Sequence, residues 1–355
     1  MPETTNMNPS TTVIAGDYLR DLLDQPAALA DTQAMLRTQS FPAEIPRRLA
    51  QSGFDRVVLT GMGSSLHALQ PLRLRLAAAG HAPFLIETSE LVHALPALVT
   101  ARTLLIMVSQ SGASAETVRL LEQAPSGCYR VGVTNTPGSP LAQSAQAVVF
   151  TRAGHEGSVA CKTYLTALVA LDWLGATLLG EDIGRTQDDL GRLDRTVAGR
   201  LEDWAGQVAA WQAEIRGARC LFLAGRGVSL ATVGSGGLIL KESSHFPAEG
   251  LSSAAFRHGP FEMLGPDVAL VVLAGAASSI PLNRRLAQDS AKAGGKVVLL
   301  DPEAPQPAFR IPQVADRLLP VVEMLPVQML SLALAALAGR EAGRFEHGSK
   351  VTTIE

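Results

Sequence analysis

The chain is divided by short apolar runs, each ending in small polar residues and glycine and followed by a longer stretch of helical periodicity. Residues 56–60, RVVLT, run into Gly61-Met62-Gly63-Ser64-Ser65 and a helix-like segment through Leu76. Residues 104–108, LLIMV, end in Ser109-Gln110-Ser111-Gly112 and lead into a segment carrying Glu116, Val118 and Leu120. A third run, 129–133, closes on Thr134-Asn135-Thr136-Pro137-Gly138, and 147–150 supplies a fourth. Unbroken apolar runs of this length, alternating with helical patterns, predict parallel strands buried on both faces and therefore an α/β fold.

The same order returns in the second half. Residues 220–224 precede Gly225-Arg226-Gly227-Val228-Ser229, residues 268–274 precede Gly275-Ala276-Ala277-Ser278-Ser279, and 297–300 end at Asp301-Pro302. Residues 317–322 read as a last short strand. Gly61 and Gly225 stand 164 residues apart, a spacing that fits duplication of a whole domain rather than a solenoid repeat. The expected organisation is a flexible N-terminus over 1–20, a first domain over 21–200 and a second over 201–355. The first domain opens with helical sequence over 15–36. A helical linker over 180–218 is rich in Asp, Arg and Glu, and its Trp204 and Trp211 read as packing residues.

Composition narrows the class. Of 355 residues 47% are apolar, 18% charged and 5% aromatic, which suits a packed globular protein with large cores. The net charge of -3 offers no basic surface for nucleic acid. Cys128, Cys161 and Cys220 are far apart and odd in number, so neither a disulfide framework nor a structural zinc site is expected, and a reducing cytoplasm fits. His67, His81, His93, His155 and His347 show no metal-ligand spacing. The apolar stretches 164–180 and 324–339 read as buried helices, and no membrane segment is expected.

The glycine-rich turns are the candidate chemistry. Gly61-Met62-Gly63-Ser64-Ser65 lacks the third glycine of a dinucleotide fingerprint, and no Walker lysine follows, so no redox cofactor is expected. Ser109-Gln110-Ser111-Gly112 says more. It places side-chain donors and successive backbone N–H groups at the end of a strand and the start of a helix, where a phosphate can bind without a basic patch. Each serine alone is equally a helix cap or a turn support.

Taken in order, these turns and several later motifs resemble the sugar isomerase (SIS) family. Ser65, the run Ser109-Gln110-Ser111-Gly112-Ala113-Ser114, the turn 134–138 and RAGHEGSVA at 152–160 resemble its first sugar-isomerase domain. LKESSHFPAE at 240–249, Arg257-His258-Gly259-Pro260 and the terminal SKVTTIE resemble the isomerase part of glutamine-fructose-6-phosphate aminotransferase, so the similarity spans roughly residues 20–355. The resemblance implies tandem SIS domains, each a parallel sheet flanked by helices, and a sugar 6-phosphate substrate. Ser65, Ser109, Gln110, Ser111 and Ser114 match the positions that hold phosphate, and Val159 falls among the substrate-binding positions.

The resemblance also assigns catalytic roles. Glu242 matches the glutamate that moves a proton between C1 and C2 of the open sugar, work suited to a carboxylate that takes a proton from one carbon and returns it to the next. His258 matches the ring-opening histidine, for which imidazole suits because it ordinarily titrates near neutrality. In the family that histidine reaches the site across a subunit interface, which implies a homodimer with a shared active site. Lys350 matches a terminal lysine that forms an imine with the open ketose, although a lysine in a tail is ordinarily a surface charge. Glu156 and Glu249 are candidates for organising sugar hydroxyls and the catalytic helix, and His245 for packing or support.

Two departures bear on the reaction. No cysteine stands beside Met1 and no glutaminase domain precedes the repeats, so glutamine-dependent synthesis by this chain alone is not expected. Ile239 stands where the aminotransferase motif has a site lysine, and Lys241, two residues on, faces another way on a helix. The expected reaction is conversion of glucosamine 6-phosphate and water to fructose 6-phosphate and ammonia. A related isomerase or deglycase acting on a sugar-amine 6-phosphate is the alternative enzyme, and a noncatalytic phosphosugar-binding sensor is the alternative of another class.

Overall fold

In the computed structural model, which describes residues 14–352 and 354, the apolar runs at 56–60, 104–108, 129–133, 220–224 and 268–274 become inner strands of two parallel sheets, and those at 147–150 and 297–300 become edge strands. The first comprises β1 (Arg56–Gly61), β2 (Phe84–Glu87), β3 (Thr103–Val108), β4 (Tyr129–Thr134) and β5 (Ala147–Phe150), in the order β2-β1-β3-β4-β5. The second comprises β6 (Cys220–Gly225), β7 (Ala248–Ser252), β8 (Val268–Leu273) and β9 (Lys296–Leu300), in the order β7-β6-β8-β9. β6, β7, β8 and β9 thus repeat the arrangement of β1, β2, β3 and β4, with every pairing parallel. All six residues of β3 and of β8 are buried, as strands covered by helices on both faces require.

The two halves share one core. Helices Lys162–Leu179 and Leu319–Leu337 are buried on nearly every side, and one continuous apolar cluster joins them to strands of both sheets. The span 316–337 is long and apolar enough to cross a membrane, yet its most apolar window lies wholly inside the protein, which makes it a core helix. Polar contacts cross the same junction. Tyr18 Oη and Ser331 Oγ lie 3.1 Å apart, and the Gln25 and Gln328 amides pair reciprocally at 2.9 and 3.1 Å. The Asp172 carboxylate joins Arg75 and Arg317, each at 2.9 Å.

Several expectations need correction. Residues 317–322 are not a strand. A 3-10 turn over Asp316–Leu318 leads into helix Leu319–Leu337, with Pro320 in its first turn, where a missing N–H costs nothing. An apolar run of six residues carries no periodicity that separates strand from buried helix. β2 and β7 were not anticipated, because edge strands reading FLIE and AEGLS present no buried apolar run. Residues 15–36 hold two helices, Asp17–Leu23 and Gln25–Thr38, with Pro26 in the first turn of the second. Of the N-terminus expected to be flexible, residues 1–13 lie outside the described residues, whereas Ile14 and Tyr18 are buried in the shared core. The linker is helical as expected, and Trp211 is buried with its ring 4.7 Å from that of Phe309.

Candidate active site

The C-terminal ends of β1 and β3 open onto a cavity of about 350 Å³. In parallel sheets this is the edge where adjacent turns diverge and leave a crevice. One wall is the turn after β1, with Ser64 and Ser65, and the floor is the turn after β3, with Ser109, Gln110, Ser111 and Ser114. Val159 and Tyr164 come from the approach to helix Lys162–Leu179 and from the helix itself. Leu238 and Glu242 come from helix Leu230–Ser244 of the second half, and Phe345 and Lys350 from the C-terminal tail.

The serine-rich turn is held by its own hydrogen bonds. Ser109 Oγ accepts the Gly112 N–H at 3.1 Å, Ser111 Oγ accepts the Ala113 N–H at 3.3 Å, and Ser114 caps helix Ala115–Gln123 by accepting the Thr117 N–H at 3.4 Å. The Gln110 carbonyl accepts the Asn135 N–H at 3.0 Å and the hydroxyls of Thr134 and Thr136 at 3.1 and 3.3 Å. Gly112 has φ +63°, and a Cβ there would stand 2.2 Å from Ser139 Oγ, so this turn requires glycine. The serines therefore shape the loop while presenting hydroxyls to the cavity at the N-terminus of a helix.

Glu242 stands near the C-terminal end of helix Leu230–Ser244, on the face that also carries Ser235 and Leu238. Ser235 Oγ lies 2.8 Å from Ser64 Oγ, which ties this helix to the turn beside Ser65. Burial pushes the Glu242 carboxyl above the ordinary carboxylate range, and the positive charges of Lys350 and Lys241 pull part of that shift back. Ile239 is buried in the core and does not line the cavity, so its apolar side chain serves packing.

Lys350 reaches the cavity because the tail is pinned on both sides. The Gly343 N–H donates to the Ser243 carbonyl at 2.9 Å, Ser158 Oγ donates to the Gly343 carbonyl at 2.6 Å, and the Ala115 N–H donates to the Thr352 carbonyl at 3.2 Å. Lys350 Nζ forms a short ion pair with Glu156, whose side chain has no exposed surface. Glu156 also accepts the N–H groups of Cys161 and Thr163, both at 3.0 Å, and the Thr163 hydroxyl at 2.6 Å. It lies behind the cavity wall, engaged with the helix and Lys350 rather than facing the cavity.

Thus Ser65, Ser109, Gln110, Ser111, Ser114, Val159, Glu242 and Lys350 converge on one space, with Glu156 directly behind Lys350. His258 and Glu249 do not join them. His258 is exposed at the end of helix Ser253–Arg257, and Glu249, on β7, lies 3.6 Å from Lys241 with both side chains about half exposed. His245 is exposed in a left-handed conformation at the end of helix Leu230–Ser244 and does not line the cavity. Tyr164 and Phe345 were missed. Tyr164 follows the 152–160 motif within one helical turn, a proximity that could have marked it, whereas Phe345 carries no signal in the sequence.

Comparison with known proteins agrees with this geometry. Residues 49–176 match the SIS domain family. Over 350 residues the chain is 30% identical to a glutamine–fructose-6-phosphate aminotransferase (isomerizing) of Pyrococcus horikoshii, covering 95% of this chain and 57% of that protein. The chain therefore spans little more than half the length of that relative. In structure it resembles the C-terminal domain of glucosamine-fructose-6-phosphate aminotransferase from Francisella tularensis, at TM-score 0.80 and 21% identity, over 93% of this chain and 98% of that one. It also resembles a glucosamine-6-phosphate deaminase from Thermotoga maritima, at TM-score 0.77 and 16% identity, over 96% and 100% of the two chains. The fold and the site define an α/β protein with two parallel-sheet repeats and a crevice between them. A SIS domain thus lies within residues 49–176, and over 95% of its length the chain is similar to the aminotransferase of Pyrococcus horikoshii.

Proposed function

We propose that the chain is a SIS-type phosphosugar deaminase or isomerase, and that it converts glucosamine 6-phosphate and water to fructose 6-phosphate and ammonia. The observation that carries this reading is the placement of Glu242, a half-buried carboxylate that lines the same cavity as the hydroxyl-rich turn 109–114. The turn and Ser65 hold the phosphate, which sets the open-chain sugar with C1 and C2 toward Glu242. Glu242 then transfers the proton from C2 to C1, and water releases the C2 nitrogen as ammonia. Similarity to an aminotransferase over 95% of this chain supports the choice of an amino sugar among phosphosugars.

His258 lies outside the cavity, which favours a homodimer in which a second copy supplies the ring-opening imidazole. Mixing Glu242→Gln with His258→Ala protein tests this directly. Restored activity in the mixture supports a shared site, and an active monomer contradicts it. The reaction itself is tested by ammonia release with product identification across glucosamine, galactosamine and fructosamine-type 6-phosphates. Turnover of glucosamine 6-phosphate that is lost in Glu242→Gln supports the deaminase. Release from a fructosamine-type substrate alone moves the assignment to a deglycase, and binding without any product moves it to a sensor.

A further inference from the structure

Two serines of helix Leu230–Ser244 turn back on their own backbone. Ser243 Oγ donates to the Ile239 carbonyl and Ser244 Oγ to the Leu240 carbonyl, both at 2.6 Å, the arrangement in which a helical serine stays within its helix. Ser235 does otherwise. It is fully buried, it does not line the cavity, and its hydroxyl pairs with Ser64 Oγ of the first repeat at 2.8 Å. Ser64 lines the cavity beside Ser65, in the short helix Ser64–Ala68. Tight contacts flank the pair on both sides. A Cβ on Gly63 would stand 3.2 Å from Leu238 Cδ2, and one on Gly234 would stand 2.3 Å from His67 Nδ1. Glycine at these two positions lets the elements approach until the hydroxyls meet.

The pair acts at a distance on Glu242. Glu242 stands seven residues after Ser235, which is two helical turns on one face and about 10 Å along the axis. A helix transmits its position as a rigid rod, so whatever fixes Ser235 against Ser64 also fixes Glu242 against Ser65 and the turn 109–114. Proton transfer between neighbouring carbons needs one carboxylate within reach of both. A displacement of about 1 Å in such an arrangement costs on the order of 10²-fold in rate. We propose that Ser235 and Ser64 are positioning residues for the proton transfer, and that their hydroxyl pair, spanning the two repeats, sets the reach of Glu242 from the phosphate anchor. This deepens the phosphosugar reading above and rests on it. The pair governs turnover rather than binding, because Ser65 and the turn 109–114 hold the phosphate without Ser235.

The test combines steady-state kinetics of the full chain on glucosamine 6-phosphate with calorimetric titration in the Glu242→Gln background. Ser235→Ala should lower kcat about tenfold with KM and the dissociation constant unchanged. The stoichiometry of the titration counts the folded chains, so slowed turnover is separated from loss of folded protein. Ser64→Ala should lower kcat to a similar extent, and the double variant should be no worse than either single one, because the two hydroxyls act as one unit. Ser244→Ala, which removes a buried hydroxyl from the same helix without touching the first repeat, should leave kcat unchanged. Unchanged kcat in Ser235→Ala overturns the positioning role, as do additive losses in the double variant, an equal loss in Ser244→Ala, or weakened binding by Ser235→Ala in place of slowed turnover. Absence of turnover by the unmodified chain on any sugar-amine 6-phosphate overturns the phosphosugar reading and this inference together, whereas turnover by the unmodified chain with any of the preceding results overturns this inference alone.

Discussion

The two repeats have the same strand order but treat the crevice beyond their strands in opposite ways. After β1, Ser65 faces an open cavity. Ser229 occupies the corresponding place after β6, 164 residues on, and its hydroxyl donates to Glu323 at 2.8 Å, while Thr232 donates to the other carboxylate oxygen at 3.2 Å. After β3 the chain offers Ser109, Gln110, Ser111 and Ser114. After β8 it offers mainly Gly and Ala, and Asn283 closes the space by donating to the Leu273 and Ala274 carbonyls at 2.9 and 3.1 Å. A carboxylate from the second repeat's own core helix thus takes the place that a ligand anion would take in the first. The same backbone becomes a binding site or a support according to what fills its crevice.

The helix Leu230–Ser244 joins the two roles. Glu323 meets its first turn in the closed crevice, and Glu242 leaves its last turn into the open one. Close packing fixes this helix over β7, where a Cβ on Gly237 would stand 2.7 Å from the Gly250 nitrogen. On the proposed reading the first repeat supplies the anchor and the second supplies the acid–base group. Neither repeat alone holds both.

This division can be broken at several points. Glu242→Gln should remove the acid–base group and lower kcat by at least about 10²-fold, with little change in thermal midpoint. Glu323→Gln should alter stability instead. Burial raises the Glu323 carboxyl to about 7, with its hydroxyl partners opposing the shift. Because the folded value lies above the unfolded one, its favourable contribution is complete below about pH 4.5 and is lost as pH rises towards about 7. Denaturant titrations should show the unmodified protein losing roughly 3 kcal/mol more across that window than Glu323→Gln.

Smaller changes sharpen the comparison. Gly112→Ala forces a side chain into a left-handed backbone and against Ser139, and should cost about 1–3 kcal/mol of stability together with weaker phosphosugar binding. The acid limb of the kcat profile should sit above the ordinary carboxylate range because burial raises Glu242, and Lys350→Met should move it higher still by removing an opposing charge. A limb that moved down instead would separate Lys350 from Glu242.

Much of this arrangement was legible in the sequence, and the missing parts share a cause. The inner strands announced themselves because burial on both faces demands unbroken apolar runs, and the turns that follow them carried the cavity's hydroxyls. β2 and β7 lie at sheet edges, where half-exposed positions accept polar residues and glycine, whereas β5 and β9, also at edges, keep apolar runs. The pairing of Lys350 with Glu156 joins residues 194 apart, and Glu323 reads as one more residue of an apolar helix until the fold brings Ser229 and Thr232 to it. Such contacts depend on tertiary packing, which local periodicity does not record. Glu249 and His258 lie beyond the cavity, whose lining includes no residue of β7 or of the short helix after it.

The most direct test of the division between the repeats is calorimetric titration of Glu242→Gln, which blocks turnover, with glucosamine 6-phosphate. The predicted result is one site per chain, weakened by roughly tenfold for each of Ser109→Ala and Ser111→Ala and unchanged by Ser229→Ala. Two sites per chain, or binding that survives the first two substitutions and is lost with Ser229→Ala, would contradict it.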